Sequence, residues 1–280
     1  MLTDDAPVIA GIATKDPAVL DYALEEAKRL DAPLRLVHTY VVPPSAMGSV
    51  YGLDIPAAYR DEAEQVIKDA VEYVHSRGSV PPLETSVIRG AAHQALDQLS
   101  REARAIVIGP DSHKPWAVRL FEGRTARHLV QHAACPVVVV PDSWEPTPGG
   151  GPVVVLIDRV GLSDGPLRYA FDAARRRGGH VRVVQADTQY QTSADLDAHR
   201  EHLTRLLEGW RSWYPGVRAE TTVLTGEPAQ IAWASEARAE LLVISRSMGT
   251  PHIWPTAPPA RTIAQAVRCP VVVVPAVFDG

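Results

Sequence analysis

Cysteine is nearly missing from this chain: its 280 residues carry two, Cys135 and Cys269. So few thiols exclude a disulfide-framework protein, and their placement before two runs of four valines reads as two small buried hydrophobes. A disulfide between them requires the two segments to face each other. No apolar run reaches the roughly 20 residues of a membrane-spanning helix. No basic stretch followed by an apolar one opens the chain either. Neither a membrane partner nor export is expected, and the chain is placed in the cytoplasm. Basic residues are the minority, 28 against 33 acidic for a net charge of -5, which argues against a nucleic-acid footprint or attraction to anionic lipid.

What the chain does have is a long internal repeat. CPVVVVP occurs at Cys135 to Pro141 and again at Cys269 to Pro275, seven identical residues at a separation of 134. ETSVIRG at Glu84 to Gly90 matches ETTVLTG at Glu220 to Gly226, and AIVIG at Ala105 to Gly109 matches LLVIS at Leu241 to Ser245. Between the copies runs PDSWEPTPGGGP, Pro141 to Pro152, whose prolines and glycines suit neither helix nor strand. The repeat predicts two tandem domains, residues 1–145 and 152–280.

Each half opens with a short apolar run, Val8 to Ala13 and Val153 to Asp158, and alternates further runs with amphipathic stretches. Helices are predicted over Asp16 to Leu30, Ala57 to Arg77, Ala91 to Arg104 and Thr125 to Ala133. Their counterparts are Asp164 to Arg177, Leu196 to Trp213, Pro228 to Ala239 and Ala260 to Val267. Strands that lack polar alternation, each followed by a helix, imply a parallel sheet covered on both faces. The fold class is therefore α/β, two tandem doubly wound sandwiches of five parallel strands each. The valine strand that ends each domain would be an exposed edge unless paired. Pairing the two across a pseudo-two-fold axis would make the chain an internal dimer, and a homodimer of such chains is possible. Ligands of such sheets bind beyond the carboxyl ends of the strands, which directs attention to the loops after Ala13, His38 and Gly109.

The order of motifs carries a resemblance. LRLVHTY, VIRG, AIVIGPDS and HLVQHAACPVVVV in the first half, with VRVVQAD, VLTGEPAQ, ELLVIS and RCPVVVVP in the second, resemble the universal stress protein family over nearly the whole length. The resemblance implies an adenine nucleotide alpha hydrolase-like fold and a cytoplasmic stress-response role. It also implies that ATP-binding members carry an acidic residue after the first strand and a loop of the form G-x2-G-x9-G-(S/T). In such a loop, backbone N–H groups and a helix N-terminus converge on phosphate oxygens.

Both halves depart from that pattern. In the first, Gly109 is followed by Ser112 at the second glycine position, and Gly123 by Arg124 in place of the hydroxyl residue, with Thr125 one position on. Ala13 stands at the acidic position, and Thr39 at the position whose backbone faces the base in the family. A phosphate remains compatible with Gly123, Arg124 and Thr125 opening a helix, with Lys114, Arg119 and Arg127 nearby. In the second half Asp158 keeps the acidic position, but Pro251, Pro255, Pro258 and Pro259 occupy the loop, and proline donates no N–H. No nucleotide is expected there.

Weaker candidates exist. His128 and His132 sit four apart on one predicted helix, with Cys135 beyond; no further ligand accompanies them and no metal is expected. His93, Asp97 and Glu102 share a predicted helix without a nucleophile, and Trp116 and Trp254 lie in corresponding loops. The Pro- and Gly-rich insertion Pro43 to Pro56 has no counterpart in the second half. The reading that follows is a non-enzymatic stress-response protein with altered loops in both domains, acting through a protein partner or an altered small ligand. The alternative is a regulator that holds ATP, AMP or another phosphorylated ligand in the first domain only. ATP hydrolysis is disfavoured because no base or metal-binding carboxylate stands beside the loop.

Overall fold

Alternating apolar strands and amphipathic helices build two α/β units in the computed structural model. The structure describes residues 5–14, 16–43, 55–110, 124–146, 150–157, 164–187, 193–225, 239–246, 269–275 and 278. These fall into a first unit running to Asp142 and a second beginning at Ser143.

The first unit runs β1 (Val8–Ile12), α1 (Pro17–Leu30), β2 (Leu34–Tyr40), α2 (Ile55–Ser76), β3 (Leu83–Arg89), α3 (Ala92–Leu99), β4 (Ala105–Ile108), α4 (Arg124–His132) and β5 (Val137–Val139). Its strands lie in the order β3-β2-β1-β4-β5 and all pair in parallel. The chain thus leaves β1 toward one side, then returns to the other at β4, and the strand order reverses between β1 and β4. Helices α1 and α2 touch each other over β1 and β2, while α3 packs against α4, so both faces are covered. That double cover is why β1 and β4 carry no polar side chain at all. Leu20, Leu24, Leu34 and Leu36 are among the fully buried side chains, each stabilising by about 2 kcal/mol.

Helix α1 shows how local signals set an element. Asp16 accepts the Val19 N–H on its side chain, Pro17 starts the helix, and Lys28 and Arg29 face the negative end of its dipole. Asp31 closes it at φ 48, the left-handed region that asparagine, aspartate and glycine tolerate best. The second unit uses Gly178, at φ 64, for the same turn.

The second unit runs β6 (Val153–Ile157), α5 (Asp164–Arg177), β7 (His180–Asp187), α6 (Ser193–Trp213), β8 (Arg218–Thr225), β9 (Leu241–Ser245) and β10 (Val271–Val274). Its order, β10-β9-β6-β7-β8, repeats that of the first. The register repeats too: β1 pairs Gly11 with Ile108 on β4, and β6 pairs Leu156 with Ile244 on β9. Even the edges match. Arg35 reaches Ser86 and Glu84 from β2 to β3, as Arg182 reaches Glu220 from β7 to β8. Charged pairs on an edge strand discourage further strand addition.

Some boundaries differ from the sequence reading. Helix α2 begins at Ile55, with Pro56 in its first turn, where the missing N–H costs nothing. Helix α3 stops at Leu99, so Glu102 does not share it with His93 and Asp97. Ser100 accounts for the early end: its hydroxyl donates to the Asp97 carbonyl at 2.6 Å and accepts the Ala134 N–H at 2.8 Å. The helices predicted at Pro228 to Ala239 and Ala260 to Val267 lie outside the described residues, as do Trp116 and Trp254 and most of the insertion Pro43 to Pro56. Cys135 and Cys269 are buried thiols and form no disulfide. Among the described residues, no helix is long and apolar enough to cross a membrane.

Candidate functional site

At the carboxyl ends of β1, β2 and β4, beside the point where the strand order reverses, the first unit encloses a cavity of about 470 Å³. Its floor is apolar, from Ile12, Val37, Leu96 and Ile108. Two glycines open it. A methyl on Gly11 would lie 2.9 Å from Leu96 Cδ1 and 3.1 Å from Ile108 Cγ2, and one on Gly109 would collide with the Asp16 carboxylate. The repeat places Leu156 and Ser245 at these two positions in the second unit, and both are buried.

The polar wall is made by Thr14, Asp16, His38, Thr39, Thr125 and Asp142. Asp16 reaches it as the N-cap of α1. One carboxylate oxygen, Oδ1, accepts the Val19 N–H at 3.3 Å, while Oδ2 lies over the Gly109 Cα. Burial pushes its carboxyl above the usual aspartate range; the Val19 N–H pulls it back, and the nearby charge of Asp142 pushes it up again. His38 leaves β2 with its Nδ1 2.8 Å from the Ile12 carbonyl oxygen. A carbonyl only accepts, so the ring donates its Nδ1 proton there.

The raised Asp16 carboxyl has a measurable consequence. The folded chain holds that proton to higher pH than the unfolded chain, whose value is near 3.8, so stability falls as pH rises from there through the folded value. Asp16→Asn caps α1 equally well without the charge. It is expected to flatten this part of the stability profile and to match or exceed the parent near neutral pH, as read by urea unfolding at several pH values. An unchanged slope would refute the assignment.

Of the residues nominated from sequence, Thr39, Gly109 and Thr125 line this one cavity. Arg124 opens α4 one residue before Thr125, exposed, and close enough to His93 to lower its proton affinity after burial, the larger cause. Ser112, Gly123 and Asp158 lie outside the described residues. Ala13 lines the cavity without an acid, yet Asp16 brings a carboxylate there from three residues on. That residue was legible as an aspartate before a proline at a helix start, though only as a cap. His38 was visible inside LVH, and nothing local marks Asp142.

The histidines gather elsewhere. His128 stacks on His132 at 4.4 Å between centroids, meets His93 edge-on at 5.1 Å, and stands 3.8 Å from Asp97. Among the described residues no group of three or more His, Cys, Asp or Glu is arranged to hold a metal ion.

Comparison with known proteins agrees with this architecture. The model of the universal stress protein family matches residues 8–141 and again 151–275. A universal stress protein of Mycobacterium tuberculosis (strain H37Rv) is 29% identical over 96% of this chain and 93% of its own. A second from the same strain is 31% identical over 79% of this chain and 81% of its own. The crystal structure of a universal stress protein from Archaeoglobus fulgidus covers 100% of both chains with a TM-score of 0.68 at 15% identity, a likeness of fold. Two family matches in one chain, each over a five-stranded parallel sheet of the same strand order, establish that this protein belongs to the universal stress protein family as a tandem member.

Proposed function

We propose that this chain is a non-enzymatic stress-response regulator that holds one small phosphorylated ligand, of the adenine nucleotide class, in its first domain. The observation that carries this reading is the asymmetry between the repeats: Gly11 and Gly109 open a cavity at the strand-order reversal of the first unit, where the second unit has Leu156 and Ser245. The two pairs hold the same register on the same strands, so the described strand ends share one backbone frame and differ in the side chains that stand on it.

The residues assigned to the ligand are Thr39, Gly109 and Thr125 on the cavity and Arg124 at the start of α4, with Ser112 and Gly123 taken from the sequence pattern alone. Ser112 and Arg124 depart from the family's glycine loop, which favours a ligand with fewer phosphates than ATP. Asp158 takes no part in this assignment.

Calorimetric titration of nucleotide-free protein with Mg-ATP and with AMP tests the reading. One site per chain is expected, with AMP bound at least as well as Mg-ATP. Two sites per chain would overturn the restriction to the first domain. Absence of heat and of thermal protection with both would overturn ligand binding and leave protein contacts as the mode of action.

A further inference from the structure

Two pairs of titratable side chains meet where α3 packs against α4. His93 and Asp97 share one face of α3, and His128 and His132 one face of α4, because residues four apart on a helix are neighbours. His128 is the member common to every contact. Its ring stacks on His132 at 4.4 Å and meets His93 edge-on at 5.1 Å between centroids, and its Nε2 lies 3.8 Å from the Asp97 carboxylate. His132 in turn points its Nδ1 at the His128 carbonyl oxygen, 3.0 Å away. Ring contacts this close suit uncharged imidazoles. Two imidazolium rings so placed repel, and among the described residues Asp97 is the carboxylate set against the three rings.

The surrounding charge is positive. Arg124 stands one turn before His128 on α4, followed by the exposed Arg127, while Arg101 and Glu102 lie exposed past the end of α3. On β2, the strand packed against α3, His38 is engaged with the Ile12 carbonyl and Arg35 with Ser86 and Glu84. β5, the strand packed against α4, is all valine. Burial first, then Arg124 and His128, hold the proton affinity of His93 below the usual histidine range. The folded chain therefore takes up that proton less readily than the unfolded chain, whose value is near 6.5, and loses stability as pH falls from there through the folded value.

Ser100 decides where this strain acts. Its hydroxyl accepts the Ala134 N–H at 2.8 Å, fastening the end of α3 to the residues just past α4. Toward their amino ends the same two helices line the ligand cavity, α3 with Ala92 and Leu96 and α4 with Thr125. We propose that His93, His128 and His132 form a proton-sensitive latch between α3 and α4: with neutral rings the helices pack and complete the cavity wall, and protonation of more than one ring below neutral pH spreads their amino ends and releases the ligand. The latch itself is independent of the ligand's identity, and its effect on binding rests on the function proposed above.

Hydrogen exchange of the intact chain, corrected for intrinsic rates, tests the latch without any ligand. Between about pH 7.5 and about pH 5.5 the α3 and α4 amides are expected to lose protection by about tenfold relative to those of α2, and His128→Gln, which removes the shared ring, is expected to abolish that loss. If His128→Gln already lacks protection at the higher pH, the His93→Gln, His132→Gln double variant, which leaves His128 beside Asp97, carries the same comparison. Unchanged protection in the parent, or an equal loss in parent and variants, overturns the latch. AMP titrated into parent and variant at both pH values reads the consequence for the cavity, the comparison cancelling the ionisation of the ligand's own phosphate. The parent is expected to lose about tenfold more affinity than the variant on acidification. Equal losses overturn the link to the cavity. If AMP fails to bind the parent at the higher pH, the functional reading falls while the exchange result still decides the latch.

Discussion

A valine at Gly109 is expected to weaken AMP binding by at least 100-fold and to cost about 2 kcal/mol of stability, of the order seen for overpacked interiors. The reason is steric and local. The Gly109 Cβ position overlaps Asp16 Oδ2 and lies 3.2 Å from Val19 Cγ2, so the aspartate must turn away from the cavity. Turning releases the Val19 N–H that Asp16 accepts at 3.3 Å, removing a helix cap that contributes about 1 kcal/mol. One substitution therefore injures the ligand wall and α1 together. Calorimetry with AMP reads the first effect and thermal unfolding the second. Gly109→Ala places the same Cβ without the further methyls and keeps the test open should the valine variant not fold. Affinity like that of the parent in both variants would remove Asp16 and Gly109 from the site.

The largest effect on stability is expected in the second domain, from Glu240→Ala. Arg177 ends α5 with its side chain only 2% exposed, and its Nε lies 3.2 Å from Glu240 Oε1. The other carboxylate oxygen accepts the Gly151 N–H at 3.2 Å, while the Glu240 N–H donates to the Pro152 carbonyl. One glutamate thus ties together the end of α5, the entry to β6 and the entry to β9. Removing it takes the counter-charge from a buried guanidinium that keeps its contact to the Ala173 carbonyl at 3.5 Å, a loss of about 3 kcal/mol. Urea unfolding gives the number, and an Arg177→Met, Glu240→Leu double variant should lose less than the single change, because no buried charge is then left behind. A single-variant loss below about 1 kcal/mol would show that solvent or other partners already satisfy Arg177.

The corresponding corner of the first domain uses another solution to the same problem. Arg104, at the position of Glu240 in the repeat, makes the equivalent backbone bond to Pro7, and Asp31 takes the turn that Gly178 takes in the second domain. Homologous backbones have kept their hydrogen bonds while the side chains that support them have changed. The same divergence separates the carboxyl ends of the sheets, where Gly11 corresponds to Leu156 and Gly109 to Ser245 in the repeat. The side chains that support the frame and those at its carboxyl ends therefore differ between the two copies.

How much of this was legible in the sequence depends on the range of the interaction. Apolar runs such as VIAGI and VVVV, the Asp-Pro start of α1 and the duplicated CPVVVVP are local or repeated patterns, and they determined the elements, their order and the family, because backbone periodicity is set by neighbours in the chain. The end of α3 escaped that reading, since a hydroxyl reaching Ala134 from Ser100 is a contact across 34 residues. The site escaped it for the same reason. Thr39, Gly109 and Thr125 could be nominated by motif, but the carboxylate facing them comes from Asp16 and a second from Asp142, brought together only when β1, β4 and β5 pair. The sequence alone determined that two stress-protein sheets would form; only the tertiary structure decided where a cavity opens and which charges line it, because those depend on volumes and fields between segments that no local pattern records.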